Sequence, residues 1–312
     1  MKTAAMTAPP GAVSHKKISL AKLKPYLFML PAVALIGFWV YKPLCQTLGL
    51  AGYKWSMVPG TTPEFVGLQN FTKLFSNKDF WPAVKNTLFY TLGLLPFSIV
   101  LPLFIAAATQ TVRGRAQKVY RALFFVPMIM APVAVSVIFQ WLLHPTNGLV
   151  NKLLIDLGVI EQGIAFFSNE TFSRLMILLI TGWKMIGFST LMFSAAISGV
   201  NREYYESAKL DGASNIRQFF TITLPLLSPT VMLMVMMSVL FASQWTFAYI
   251  DVLSQGGPYG TSTNIYYMMY KFGFSDMNVG LSAAAAALFF IVFGLIALVM
   301  MRLSKKYAFY DN

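Results

Sequence analysis

Long apolar stretches alternate along this chain with short polar ones, and the apolar stretches are similar in length. A helix that crosses a bilayer needs roughly 20 mostly apolar residues, because each advances about 1.5 Å through a hydrocarbon core about 30 Å thick. Six segments meet that requirement, at residues 26–44, 87–109, 122–143, 175–200, 226–250 and 279–301. Four of them carry no charged residue, the first holds Lys42 near its end, and the fourth holds Lys184 well inside. The expected fold is all-α, a polytopic membrane protein with six transmembrane helices. It comprises an N-terminal tail over 1–25, a six-helix region over 26–301 and a C-terminal tail over 302–312.

Basic residues precede the first segment, as they do in a signal peptide. Its apolar run is long, however, contains Pro31 and leads into Lys42-Pro43 with no small-residue cleavage site, so it reads as a retained anchor. Six crossings put both termini on one side. Both tails and the second and fourth loops together hold fifteen Lys and Arg, among them Lys2, Lys16, Arg113, Arg115, Arg202 and Lys305, while the opposite side holds eight. Basic residues accumulate in cytoplasmic loops, so both termini are expected in the cytoplasm.

Composition narrows the class. The chain is 57% hydrophobic and only 11% charged, against about 25% charged in soluble domains, which excludes an ordinary globular enzyme. The net charge of +13 would raise nucleic acid as a partner in a soluble protein. Here it serves as an insertion signal, and no nucleic-acid partner is expected. Cys45 is the lone cysteine and His15 and His144 are the two histidines, so neither a disulfide nor a His/Cys metal site is expected. Proline recurs in or beside the spans at Pro31, Pro96, Pro102, Pro127, Pro132, Pro225 and Pro229. Each removes a backbone donor, which lipid tolerates where neighbouring helices or a water-lined cavity compensate, so the prolines fit either a solute pathway or plain packing.

The loop over 201–225 carries the most chemistry. Asn201 is suited to N-cap a first short amphipathic helix, with Glu203 favoured by the dipole of its first turn. Gly212 allows the positive φ that ends that helix, and Ser214 is suited to cap a second, without a capping box because Arg217 stands where Glu or Gln would be needed. The second helix is expected to present Ile216, Phe219 and Phe220 on a common side before Leu224-Pro225 turns the chain into the membrane.

These residues follow a pattern: Glu206, Ala208, Gly212, then Ile222, Leu224 and Pro225, with Ser207 in the place of the usual first alanine and Leu210-Asp211 before the glycine. The pattern resembles the cytoplasmic loop of permease subunits in binding-protein-dependent ABC importers. Within that family the chain is similar to the carbohydrate branch, which includes maltose, multiple-sugar and glycerol-phosphate systems. The likeness rests on Phe65, Gly67, Asn70 and Phe71, on Trp81 and Asn86-Thr87, on Trp183-Lys184, and on Gly256-Gly257-Pro258 with Ser262-Thr263 and Tyr270, in that order.

The resemblance implies that 201–225 contains a coupling helix between spans four and five that docks on an ATPase. It also implies half of a translocation pathway shared with a second homologous permease, two ABC ATPase subunits that bind ATP and magnesium, and a substrate-binding protein outside the cell. The solute would be a sugar or a related small polar molecule, and the setting the cytoplasmic (inner) membrane of a bacterium or archaeon, in contact with its lipid. This chain itself would bind no cofactor and catalyse nothing. Leu253-Ser254-Gln255-Gly256-Gly257 superficially matches an ATPase signature, but no phosphate-cradling G-x-x-x-x-G-K-[ST] occurs and that loop falls on the outer side.

Individual roles stay open at this level. Glu206 fits a contact with a basic groove, a local cap or a solvated helix charge. A charge inside a span is a functional candidate by default, so Lys184 fits a phosphate or sugar contact, or a structural partner such as a carbonyl or a nearby acid. Ser238, Ser243, Gln244 and Trp245 fit hydrogen bonding and stacking with a sugar, or helix–helix contacts. The alanine run 283–287 reads as packing. A secondary transporter or channel subunit is the alternative, but the spans lack the carboxylates that ion coupling needs and no filter-like repeat or charged ring is visible.

Overall fold

The structure is a computed structural model that describes residues 20–111 and 114–307. Lys2, Lys16, Lys17, Arg113 and Asp311, which enter the charge count, lie outside the described residues. The chain divides into two units, Met1–Thr47 and Leu48–Asn312.

The described part of the first unit is helix α1 (Leu20–Ile36), a π turn (Gly37–Tyr41) and most of α2 (Lys42–Leu50). Helix therefore begins six residues before position 26, inside the stretch assigned to a tail.

The second unit opens with a two-stranded antiparallel hairpin, β1 (Tyr53–Lys54) paired to β2 (Glu64–Phe65), the only sheet among the described residues. Helix α3 (Gln69–Phe75) follows, where Asn70 donates through Nδ2 to the carbonyls of Ala51 and Tyr53, both at 2.9 Å, and so fixes the hairpin's base. The second span is α4 (Phe80–Leu95), a π turn starting at Pro96, and α5 (Leu101–Thr111). Proline at the π turn accounts for the irregularity, since its ring and missing N–H disrupt the regular ladder.

The third span departs from expectation. The apolar run 122–143 is not one helix: α6 (Arg115–Ile129) and α7 (Pro132–Leu142) meet at 101°. The cause is local. Proline disfavours helical geometry in the residue before it, and Met130 and Ala131 are both extended, with ψ of 136° and 132°. Helix α8 (Leu149–Asp156) lies in the loop beyond, held by Asn151, which bonds the carbonyls of His144 and Ile164 and the Ile164 N–H.

Helix α9 (Glu170–Ser198) is the axis of the bundle. Asn169 caps it, accepting from the Thr171 and Phe172 N–H groups, and Glu170 complements its dipole. Its buried residues, among them Ile177, Leu178, Ile180 and Met185, join Tyr90 and Leu94 of the second span in the largest core cluster. After α9 come α10 (Arg202–Leu210), α11 (Asn215–Gln218), a π turn (Phe219–Thr223) and α12 (Leu224–Leu226). The fifth span is α13 (Ser228–Tyr249), with a π turn (Ile250–Ser254) as its continuation. Then α14 (Ile265–Tyr270), a π turn (Lys271–Ser275) and the final span α15 (Val279–Tyr307) complete the described chain. Ala283, Ala284 and Ala287 bury against Ala51, so the alanine run is packing, as expected. Among the described residues, five helices are long and apolar enough to cross a membrane, or six when the bent pair counts as one crossing.

Candidate functional site

The 201–225 loop assembles much as its sequence indicates. Asn201 accepts from the Glu203 N–H at 3.1 Å and starts α10. The helix ends on a paired closure: the Gly212 N–H donates to the Lys209 carbonyl at 3.0 Å, and the Ala213 N–H to the Ala208 carbonyl at 2.9 Å. That closure places Gly212 at φ +76°, a region open to glycine and costly for most side chains. Ala208 thus supplies a closing carbonyl to the corner. Ser214 accepts from the Arg217 N–H at 3.3 Å and starts α11, and Gln218, buried, donates through Nε2 to the Ala213 carbonyl at 2.8 Å.

One contact braces the loop internally and another sets it against the bundle. The Tyr205 hydroxyl meets Thr223 Oγ1 at 3.0 Å, and the Phe219 ring stacks on Phe104 of α5 with centroids 5.9 Å apart. Ile216, Phe219 and Phe220, expected on a common side, all line one cleft. The π turn begins at Phe219, leaving Phe219 partly buried in the bundle while Ile216 (73%) and Phe220 (55%) stay exposed. Leu224 packs into the same cluster as Phe219, Ile222 is half-buried, and Pro225 is exposed. Glu206, Ser207 and Asp211 are exposed, and Leu210 at the corner is 90% exposed. A cleft of about 1010 Å³ lies between this unit and the ends of α5 and α9, lined by Glu206, Lys209, Arg202, Tyr205 and Gln218 among others.

The five candidate pathway residues are not brought to one surface. Ser238 and Ser243 are fully buried, and their hydroxyls have no hydrogen-bond partner among the described residues. Gln244 is exposed, and the half-buried Trp245 stacks on Phe241 at 4.5 Å with an interplanar angle of 16°. Phe188 of α9 closes edge-on against both rings. Lys184, one turn earlier on α9, is 7% exposed and donates through Nζ to the Met130 carbonyl at 2.7 Å. Its neighbour Trp183 meets Phe139 of α7 edge-on at 5.9 Å. At Gly187, a Cβ would collide with the Phe124 carbonyl of α6.

The far end of the bundle is built differently. Asn86 donates to the carbonyls of Thr263 (2.9 Å) and Gly260 (3.3 Å), Tyr90 to that of Ser262 (3.0 Å), and Ser173 to that of Gly257 (3.1 Å). Arg174 bonds Asn86 Oδ1 at 3.4 Å and lies over the Phe89 ring. Asn264 donates to the Ser243 carbonyl and Thr246 Oγ1 and caps α14 through the Tyr267 N–H. Sequence reasoning marked Asn70 and Asn86 as motif members. It did not reveal their partners, which are backbone carbonyls 17 to 19 and 174 to 177 residues away.

A proline-broken helical bundle with many apolar crossings and a capped, glycine-cornered helical loop at one end defines a polytopic membrane permease. A family model described as "Binding-protein-dependent transport system inner membrane component" matches residues 84–307. The chain belongs to this family and is the permease subunit of an ABC importer.

The chain is similar to the sn-glycerol-3-phosphate transport system permease protein UgpA of Yersinia enterocolitica, with 31% identity over 87% of this chain and 90% of that protein. It is 30% identical to the probable ABC transporter permease protein YesP of Bacillus subtilis, over 97% of this chain and 98% of the relative. Among solved structures it is similar to a bacterial ABC transporter involved in the import of the acidic polysaccharide alginate. That likeness has a TM-score of 0.81 at 25% identity and covers 92% of this chain and 98% of the other. The same fold recurs, at 24% identity and a TM-score of 0.82 over 92% of this chain and 97% of the other, in an alginate transporter in complex with an alginate pentasaccharide-bound periplasmic protein.

Proposed function

We propose that this permease carries a sugar or related small polar solute inward, pairing with a second homologous permease to enclose the pathway. Two ABC ATPase subunits, which bind ATP and magnesium, grip the 201–225 loop from the cytoplasm, and a substrate-binding protein delivers solute at the opposite end. Both termini lie in the cytoplasm, and the chain spans the inner membrane of a bacterium or archaeon. The chain itself binds no nucleotide. The solute class draws on the glycerol-phosphate and alginate systems that its relatives serve.

The observation that carries the reading is the paired closure at Gly212. It gives the loop a rigid corner with Leu210, Glu206 and Ile216 exposed around it, the form a lever needs to pass force into α9 and α12. On the pathway side, the Phe241–Trp245 stack with Gln244 beside it suits a sugar, whose ring offers C–H groups to an aromatic face and hydroxyls to an amide. Ser238 and Ser243, buried in the bundle, fit helix packing better than solute contact.

The test is purification through a tag on this chain, identification of the associated subunits, and reconstitution into vesicles. ATP hydrolysis stimulated by the binding protein loaded with one sugar-class solute, together with uptake of that solute, is the expected result. A chain that purifies alone and moves solute without ATP would end the proposal.

A further inference from the structure

A helix that stops in the membrane leaves its last carbonyls without intrahelical donors, and lipid offers none. Helix α6 stops in this way at Ile129, and Pro132, which has no N–H, cannot continue the ladder. Three neighbouring positions on α9 meet this break. Gly187 lets the α9 backbone touch α6 at Phe124, the Lys184 ammonium donates to the Met130 carbonyl at the end of α6, and Trp183 touches Phe139 on α7. A cation at the negative end of a helix also opposes the dipole there. One helix therefore holds both arms of the 101° bend.

That same helix runs directly into the 201–225 loop. Helix α9 ends at Ser198 and α10 begins at Arg202. Lys184 stands about 21 Å from the end of α9, at 1.5 Å per residue.

We propose that Lys184 is a positioning residue that ties the elbow of the third span to α9, so that movement of the 201–225 loop re-aims α7; this rests on the loop being the ATPase-coupling element. Lys184 then acts on transport through α7 and does not touch the solute. One of its three donors and its charge hold a backbone turn that α6 and α7 cannot hold themselves.

The experiment uses the whole reconstituted complex, with Cys45→Ser and spin labels at Leu123 on α6 and Trp141 on α7, both exposed. Lys184→Met is expected to shift or broaden the label-to-label distance distribution and to cut solute moved per ATP hydrolysed at least tenfold. Lys184→Arg, which keeps a charged donor, is expected to restore most of both. An unchanged distribution in Lys184→Met overturns the proposal, including the case where lost transport reflects a direct solute contact. So does a broadened distribution with normal transport per ATP, which leaves the bend a static feature. Should Lys184→Met fail to assemble, Phe139→Ala frees the other arm, and the same broadening is expected; its absence counts against the elbow. If the wild-type complex moves no solute with ATP, the transport reading fails while the distance measurement still decides whether Lys184 holds the bend.

Discussion

The two ends of the bundle solve opposite problems. At the end that holds residues 256–264, side chains from α4 and α9 reach across to backbone carbonyls of the loop, and the contacts of Asn86, Tyr90 and Ser173 are buried or partly so. At the 201–225 end, the bonds that give the loop its shape are local: a cap at Asn201, a closure at Gly212, a cap at Ser214, and a hydroxyl contact between Tyr205 and Thr223. The first loop is sewn to the bundle. The second is stiff within itself and meets the bundle through the apolar packing of Phe219 and Leu224. The two loops thus take their form from different bonds, long-range at one end and local at the other.

Substitutions that tell the ends apart follow from this. Asn86→Ala removes two hydrogen bonds to loop carbonyls and leaves those acceptors buried, at a cost on the order of 3 kcal/mol. Thermal unfolding of the purified permease is expected at a clearly lower temperature, with ATPase subunits still bound to the folded fraction. Equal loss of ATPase binding in that fraction would mean the two ends are not independent.

Gly212→Val comes next. A Cβ there meets nothing within 4 Å, so no clash contributes, and the cost is the backbone conformation alone, about 1–3 kcal/mol. Insertion is expected to be normal, with uptake lost and the ATPase subunits held weakly or hydrolysing without transport. Gly212→Asn, which tolerates positive φ, is expected to retain most uptake. If the valine variant transports normally, the corner is a passive connector.

The smallest effect belongs to Tyr205→Phe. It removes a side-chain hydrogen bond between α10 and the π turn, about 0.5–1.5 kcal/mol. Uptake is expected to fall severalfold at most, with unchanged thermal stability of the far end. A loss as large as that of Gly212→Val would make attachment, not shape, the limiting property.

Legibility in the sequence followed the range of the interactions. Five spans could be read from apolar length, and the caps at Asn201 and Ser214 and the corner at Gly212 from residue type, because each depends on neighbours a few positions away. The bend in the third span was marked by Pro132 but not measured by it, since Met128, Met130, Ala131 and Pro132 sit inside one unbroken apolar run and hydropathy does not register a turn. Lys184 announced itself as a charge in a span, but its partner, the Met130 carbonyl, is 54 residues away and leaves no mark in side-chain chemistry. Ile216, Phe219 and Phe220, expected on a common side, do line one cleft, but the π turn that begins at Phe219 left no mark in the residue pattern.

The π turns bear on changes of chain length. A π turn holds one residue more than the α turn it replaces, and one residue rotates a helix face by roughly 100°. Such a turn, as at Pro96–Val100 between α4 and α5, is in effect an insertion already accommodated within a helix. Deleting a single residue inside one would return the helix to regular winding locally, whereas the same deletion in mid-α9 would rotate Trp183, Lys184 and Gly187 away from the elbow. A shorter chain is therefore expected to be borne best at such an irregular turn, and α9, 29 residues unbroken by any π turn, is where the reading frame of the permease's surfaces is least forgiving.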